Sequence, residues 1–301
     1  MLIRAGVADE FRSLMGQVQD GAGKGLKTLT DGVANLPDSE RSEALHDLLP
    51  AFGSQYADTA SEVSTVFFES LMELQEVKRP VAPEILPELD SKIWHSLVGF
   101  ATSPATLEQG GMALMYSILS GGLSRALSRA SADTMIGNAQ IQSVEMRSQR
   151  VPASGCCAFC ALLASRFGEY RSSRSAGQVV GRGVAVGTGR GRGSKGIGRG
   201  IKTRGSQALG EKFHDHCRCS IVVVTEENEV ELRTMAEGYY DSYREAADRV
   251  NDGLTLRVTD VSSSERLKNK YEWVDSTGTA RNANERTKDI LSAMRLDLGV
   301  S

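Results

Sequence analysis

Residues Phe213–Val224 read FHDHCRCSIVVV, placing His214, His216, Cys217 and Cys219 within six positions and a β-branched run directly after them. The whole chain has 301 residues, with four histidines and five cysteines. The other three cysteines lie together in SGCCAFCALLASR, as Cys156, Cys157 and Cys160. Thiol chemistry is thus confined to two clusters far apart in the chain, and SIVVVT reads as a short buried strand that fixes the second cluster's end.

Cys157 and Cys160 form a C-x2-C pair, the bite with which a tight turn offers two thiolates to one tetrahedral ion. Cys217 and Cys219 stand at i and i+2, so in extended chain they point to the same side. His214 precedes Cys217 by three residues. Zinc suits a mixed thiolate and imidazole set, and four protein ligands would make a closed, structural site. The expected metal ligands are Cys157, Cys160 and two of His214, Cys217 and Cys219. His216 is a weaker candidate and Cys156 a neighbour. Two other readings stay open: buried thiols packed as small apolar groups, for which Cys219 beside IVVV is suited, and a redox C-x2-C, which would usually follow a strand in a βαβ unit.

Around this core of the reading, composition is that of an ordinary globular chain: 40% hydrophobic, 24% charged, net charge −3. No apolar run reaches the roughly 18 residues that a membrane helix needs. The start, MLIRAGVADEFRSL, lacks the apolar core of a secretory signal, so synthesis in the cytosol with reduced thiols is expected, with no membrane partner. An odd cysteine count in that setting favours metal over disulfides.

Residues 1–147 are expected to be a helical domain. In EFRSLMGQVQ, Phe11, Leu14, Met15 and Val18 share a helical face. Asp38 or Ser39 is offered as an N-cap after Pro37. Val63, Phe67, Leu71 and Leu74 repeat at helical spacing in SEVSTVFFESLMELQEV. RPVAPEILPELD reads as a connector. A further helix covers about 105–147, weakened at Gly121-Gly122.

Residues 148–225 are expected to form a small zinc-stapled module interrupted by the segment 181–205, GRGVAVGTGRGRGSKGIGRGIKTRG. Ten of those residues are glycine and seven are basic: Arg182, Arg190, Arg192, Lys195, Arg199, Lys202 and Arg204. With so little apolar bulk to bury, it is expected to be a flexible loop. Cations on a mobile backbone suit phosphate contacts without sequence preference, or an acidic protein partner. No aromatic is interleaved for base stacking, and the glycine spacings lack the strand–helix setting of a nucleotide fingerprint.

Residues 226–301 are expected to be a C-terminal helical segment. Leu232, Met235, Tyr239, Tyr243 and Ala246 share one face, and a last helix starts near Asn284. The fold class is therefore α+β, mainly α: an elongated helical N-terminal half, a small zinc-stapled α/β module and a helical tail.

No G-x-S-x-G elbow, Walker loop or H-E-x-x-H motif is present. His46 and His95 lie in apolar helical stretches where a lone histidine is usually structural. Cys157 with His214 has the residue types of a nucleophile and base, but the surrounding thiols argue for shared ligation, so no catalytic residue is assigned.

The helical half, then CAFCALLASR, then HDHCRCSIVVV resembles the phage Mu F-like minor head protein family. Its members carry C-x2-C and, tens of residues later, H-x2-C-x-C leading into a strand. Cys157, Cys160, His214, Cys217 and Cys219 stand at those positions, and Arg218 at the arginine common in the last motif. The motifs cover about residues 145–225. The closing YEWVDSTGTARNANERTKDILSAMRLDLGV resembles tails of such proteins in actinobacterial phages. The 181–205 insertion departs from the pattern. The resemblance implies a low-copy minor capsid protein of the virion, acting in head morphogenesis near the portal and touching capsid proteins or packaged DNA. Related proteins are labelled capsid maturation proteases, which is the first alternative. A zinc-dependent nucleic-acid-binding module is the second.

Overall fold

The computed structural model describes residues 6–75, 82–85, 89–142, 147–153, 156–165, 167, 183–185, 201–203, 216, 218–260, 270–281 and 283–299. Helices make up most of these, with small antiparallel sheets beside them, which is the expected mainly-α class. The chain falls into two compact units that interleave along the sequence. The first holds residues 1–153 and 168–232, the second residues 154–167 and 233–301.

The first unit is built on four helices: α1 (Val7–Gly32), α2 (Asp38–Leu74), α3 (Lys92–Ala101) and α4 (Pro104–Ile141). In α1 the buried stripe is Phe11, Met15, Ala22 and Leu26, continued by the buried polar residues Gln19 within it and Thr30 beyond it. Leu14, expected on this stripe, is exposed, because the stripe advances by four residues from Phe11 to Met15 and leaves Leu14 one position to the side. Phe11 stacks on Phe67 of α2 with ring centroids 4.3 Å apart.

The α2 helix is longer than the two segments the sequence suggested. It runs unbroken through Pro50, whose missing N–H leaves the His46 carbonyl without its i+4 donor. Pro37 itself occupies the N-cap, and neither Asp38 nor Ser39 caps the helix. The buried Arg41 ties down the preceding turn: it donates to the carbonyls of Leu36 (2.6 Å) and Ala34 (3.2 Å) and pairs with Asp38.

Antiparallel packing of α3 on α2 depends on close approach. Trp94 is fully buried over Gly53, where an added Cβ would lie 2.7 Å from the indole. The indole N–H donates to Ser54 Oγ at 3.2 Å. Gly122 of α4 receives Leu97 in the same way, with 2.5 Å to an added Cβ. Gly121-Gly122 is therefore a packing notch inside a continuous helix, not the weak point expected there. The break falls at Gly111, at φ 56° and ψ −146°, a conformation open to glycine almost alone. Ser103 caps α4 by accepting from the Thr106 N–H, and Pro104 supplies the fixed φ of the first turn.

Past Gly111, α4 is sheathed by its neighbours, and its small buried residues carry the polar contacts. Ser131 accepts from Ser64 at 2.7 Å, and Ser128 accepts from Gln19 at 3.0 Å. Asn138 grips the connector backbone at Glu84, accepting from its N–H at 2.7 Å and donating to its carbonyl at 2.9 Å.

The last helical expectation, to residue 147, is corrected. The α4 helix stops at Ile141, and β1 (Arg147–Val151) pairs antiparallel with β4 (Ser220–Val224), with Gln149 opposite Val222. All five β4 residues are buried, as are Ser148, Gln149, Arg150 and Val151 of β1. Within the glycine- and arginine-rich segment, β2 (Gly183–Ala185) pairs antiparallel with β3 (Ile201–Thr203), so this part of the expected loop is a backbone ladder. Arg190, Arg192, Lys195 and Arg199, like Arg182 and Arg204, lie outside the described residues; Lys202 lies in β3.

The second unit contains α5 (Ala158–Ala164), α6 (Glu229–Asn251) beyond its first turn, the antiparallel pair β5 (Thr255–Asp260) and β6 (Lys270–Val274), and α7 (Ala283–Leu298). Its core gathers Ala158 and Ala161 of α5, Ala246 and Ala247 of α6, and Ile290 and Met294 of α7, with Tyr239 and Tyr243 packed against them. The expected face of α6 is thus the one that packs. The β5–β6 pair lies in a tail expected to be helical. Directly after β6 comes a turn in which Asp275 Oδ1 accepts from the N–H groups of Thr277 (2.9 Å) and Thr279 (3.0 Å). Among the described residues no helix is long and apolar enough to cross a membrane.

Candidate functional site

Two of the five expected ligands, His214 and Cys217, lie outside the described residues. The other three are placed. Cys157 is the N-cap of α5, in extended conformation at φ −67° and ψ 156°, and Cys160 is the third residue of that helix. N-cap and third-residue side chains lie over the same side of a helix's first turn, the relation used by a capping box. The C-x2-C spacing is therefore realised within the first turn of a helix, from its N-cap to its third residue. Cys160 is buried and Cys157 half-buried. Cys219, on the extended lead-in to β4, is also buried. Cys157 and Cys160 belong to the second unit and Cys219 to the first. Among the described residues no group of three or more His, Cys, Asp or Glu side chains gathers as a metal site.

The two residues on either side of Cys217 have a clear structural role. His216 takes a left-handed backbone (φ 59°), a region where histidine is enriched among non-glycine residues. Its N–H donates to the Gly121 carbonyl at 3.3 Å, and its Nε2 stands 3.5 Å from Ser117 Oγ. Both contacts are to α4, so His216 anchors the segment to the bundle.

Arg218 performs the same task on α1 with a charge. Its Nε donates to Gln19 Oε1 at 3.1 Å, and its Nη2 donates to the Gly16 carbonyl at 3.1 Å and to Asp20 Oδ1 at 2.6 Å. Gln19 passes the contact inward, since its Nε2 donates to the buried Ser128 of α4. One arginine in the H-x2-C-R-C motif thus reads three acceptors on α1 and is coupled through Gln19 to α4. At the other end of β4, the buried Asn228 accepts from the Thr225 N–H at 2.8 Å and donates to the Val223 carbonyl at 2.9 Å. The strand is clamped at both ends.

Sequence reasoning missed two polar groups nearby. Arg150 is almost wholly buried in β1. Glu231, in the first turn of α6, is half-buried beside the start of α1. Desolvation raises its carboxyl above the ordinary glutamate range; the Gly6 N–H lowers it, the Asp9 charge raises it and Arg12 lowers it. Its Oε2 is buried without a hydrogen-bond partner among the described residues. Arg12 is engaged by Asp9 at 2.6 Å and by the Pro152 carbonyl at 3.1 Å. An acid at the first turn of a helix reads as ordinary dipole complementation, so nothing in the sequence marked it.

The described part of the second motif thus sits on a mainly helical scaffold, beside a two-stranded sheet whose strand β4 is held at both ends. The chain belongs to the VG15 protein family, whose model matches residues 3–246. That family is phage-associated, a family of viral gene products. No curated protein and no solved structure matches the chain.

Proposed function

We propose that this chain is a minor capsid protein that acts in phage head morphogenesis, contacting the portal and other capsid proteins, packaged DNA or both, without catalytic turnover. The observation that carries the reading is the family match, which runs from residue 3 to residue 246 and so takes in the helical bundle and both thiol segments. The Mu F-like resemblance of the C-x2-C and H-x2-C-R-C motifs narrows it from phage protein to head protein. The Arg218 and His216 contacts support it, because they use the most chemically distinctive residues of the second motif to hold a strand.

In this reading, four of Cys157, Cys160, His214, Cys217 and Cys219 hold one structural zinc. The donor set suits that ion, and the α5 turn supplies two thiols with the spacing zinc requires. Bound zinc lends the thiol segments folding free energy that a short strand and a seven-residue helix lack on their own. The cations of residues 181–205 meet DNA phosphates or an acidic capsid surface.

The test is genetic. A phage with a nonsense codon early in this gene should make shells that fail to mature into infectious heads, with infectivity restored by the chain supplied in trans. Normal burst size and normal heads would refute the reading. Specific cleavage of shell or scaffold protein by the purified chain, abolished by a single substitution, would replace it with the protease alternative.

A further inference from the structure

Two of the four histidines, neither of them in a thiol segment, are brought face to face by the α2–α3 packing. His46 Nδ1 lies 3.2 Å from His95 Nδ1, and the rings are 5.5 Å apart between centroids, inclined by 25°. From this geometry we infer that His46 and His95 form a surface chelate for a borderline divalent transition metal, of the Ni(II), Cu(II) and Zn(II) class.

The distance is the first reason. With metal–nitrogen bonds of about 2.0–2.1 Å, two imidazole nitrogens on one ion stand about 3.3 Å apart at a tetrahedral angle and about 2.9 Å at an octahedral one. The observed separation falls between the two. Ring rotation about the Cβ–Cγ bonds, turning both Nδ1 lone pairs toward one ion, separates the present arrangement from a chelate.

The second reason is that the backbone carrying the pair is fixed on both sides. One turn from His46, Ser42 Oγ is 2.9 Å from Thr102 Oγ1. Next to His95, Trp94 is buried over Gly53 and donates to Ser54. A pair held between two interhelix contacts loses little conformational freedom on taking up an ion, which is the condition for useful chelation by only two ligands.

The third reason is access. His95 is exposed, and one turn further along α3 a Cβ added to Gly99 would meet nothing within 4 Å. No third His, Cys, Asp or Glu joins the pair among the described residues. The remaining coordination positions therefore go to water. That makes an open site, unlike the closed zinc site proposed for the thiols, and imidazole is the ligand type this metal class accepts.

In the ion-free chain the same contact is an N–H···N hydrogen bond, with one Nδ1 protonated and the other bare. Metal binding requires both bare. The ring that held its proton on Nδ1 shifts it to Nε2 through solvent, which frees the second nitrogen for the ion. The site is independent of the capsid reading and stands or falls without it.

Calorimetric titration of Ni(II) into the intact, tag-free chain, with its thiol site already loaded with zinc, tests the inference. One Ni(II) per chain is expected, with affinity reduced at least about tenfold in His46→Gln and in His95→Gln, because a single imidazole forfeits the chelate's effective concentration. In the unsubstituted chain, paramagnetic Ni(II) should broaden the ring resonances of His46 and His95 before any other histidine. Equal affinity in both variants, no Ni(II) binding at all, or ring signals that stay sharp at saturation would each overturn the assignment.

Discussion

The Arg218 guanidinium sits 2.6 Å from the Asp20 carboxylate across 198 residues of chain, and it also reaches Gln19 and the Gly16 carbonyl. The pair is substantially exposed, so the ion pair itself contributes only about 0.2–1 kcal/mol. The bond through Gln19 is worth more, because it continues to the buried Ser128. Asp20→Asn should cost under about 1 kcal/mol, a loss that shrinks in high salt. Gln19→Ala should cost about 1–3 kcal/mol and be insensitive to salt. Urea unfolding in low and high salt separates the two, and the reverse ranking would show that the clamp is held by charge.

The two glycine notches and the Gly111 break give a second prediction. Gly53→Ala puts a methyl 2.7 Å from the Trp94 ring and should destabilise by about 1–3 kcal/mol through overpacking. Gly111→Ala meets no side chain, yet forces a conformation that alanine avoids, at about 1–3 kcal/mol. Trp94 fluorescence should report the first change and be indifferent to the second. An unperturbed spectrum in Gly53→Ala would mean the α2–α3 contact is looser than described.

Glu231 makes stability depend on pH in a defined direction. Its carboxyl is raised by burial, so the native chain holds that proton to higher pH than the unfolded chain. Its contribution to stability is full below the ordinary glutamate value and is lost as pH rises through the folded-state value. Glu231→Gln should therefore be more stable than the wild-type chain near neutral pH, with the advantage fading as pH falls toward 4. Denaturation midpoints across that range check it, and a difference that does not change with pH would show the carboxyl is solvated.

Much of this fold is visible in the sequence where one periodicity dominates. The β-branched run of β4 and the spaced apolar residues of α6 and α7 lie where they were expected. The strand β1 was illegible for a physical reason: RSQRV looks like a solvated segment, yet Ser148, Gln149 and Arg150 are buried through tertiary packing. The β5–β6 pair was missed because its strands alternate weakly and carry charge. Gly121-Gly122 was misread because a glycine's effect depends on whether a neighbour fills the notch, and Leu97 fills it. The C-x2-C turn was legible as local spacing. The clamp through Arg218 was not, since its acceptors come from a helix some two hundred residues earlier.

Zinc content addresses the thiol proposal. Purified without chelator, the chain should carry about one zinc, and Cys157→Ser or Cys160→Ser should each abolish retention, since structural zinc binding is coupled to folding. Retention of full zinc by the Cys157→Ser, Cys217→Ser double variant would exclude the proposed ligand set.

The most direct test of a role in the phage head is quantitative mass spectrometry of gradient-purified virions and unfilled heads. The account predicts this chain in both particles, at a small number of copies relative to the major shell protein. Its absence from both, with the chain abundant in the infected-cell lysate, would contradict the account.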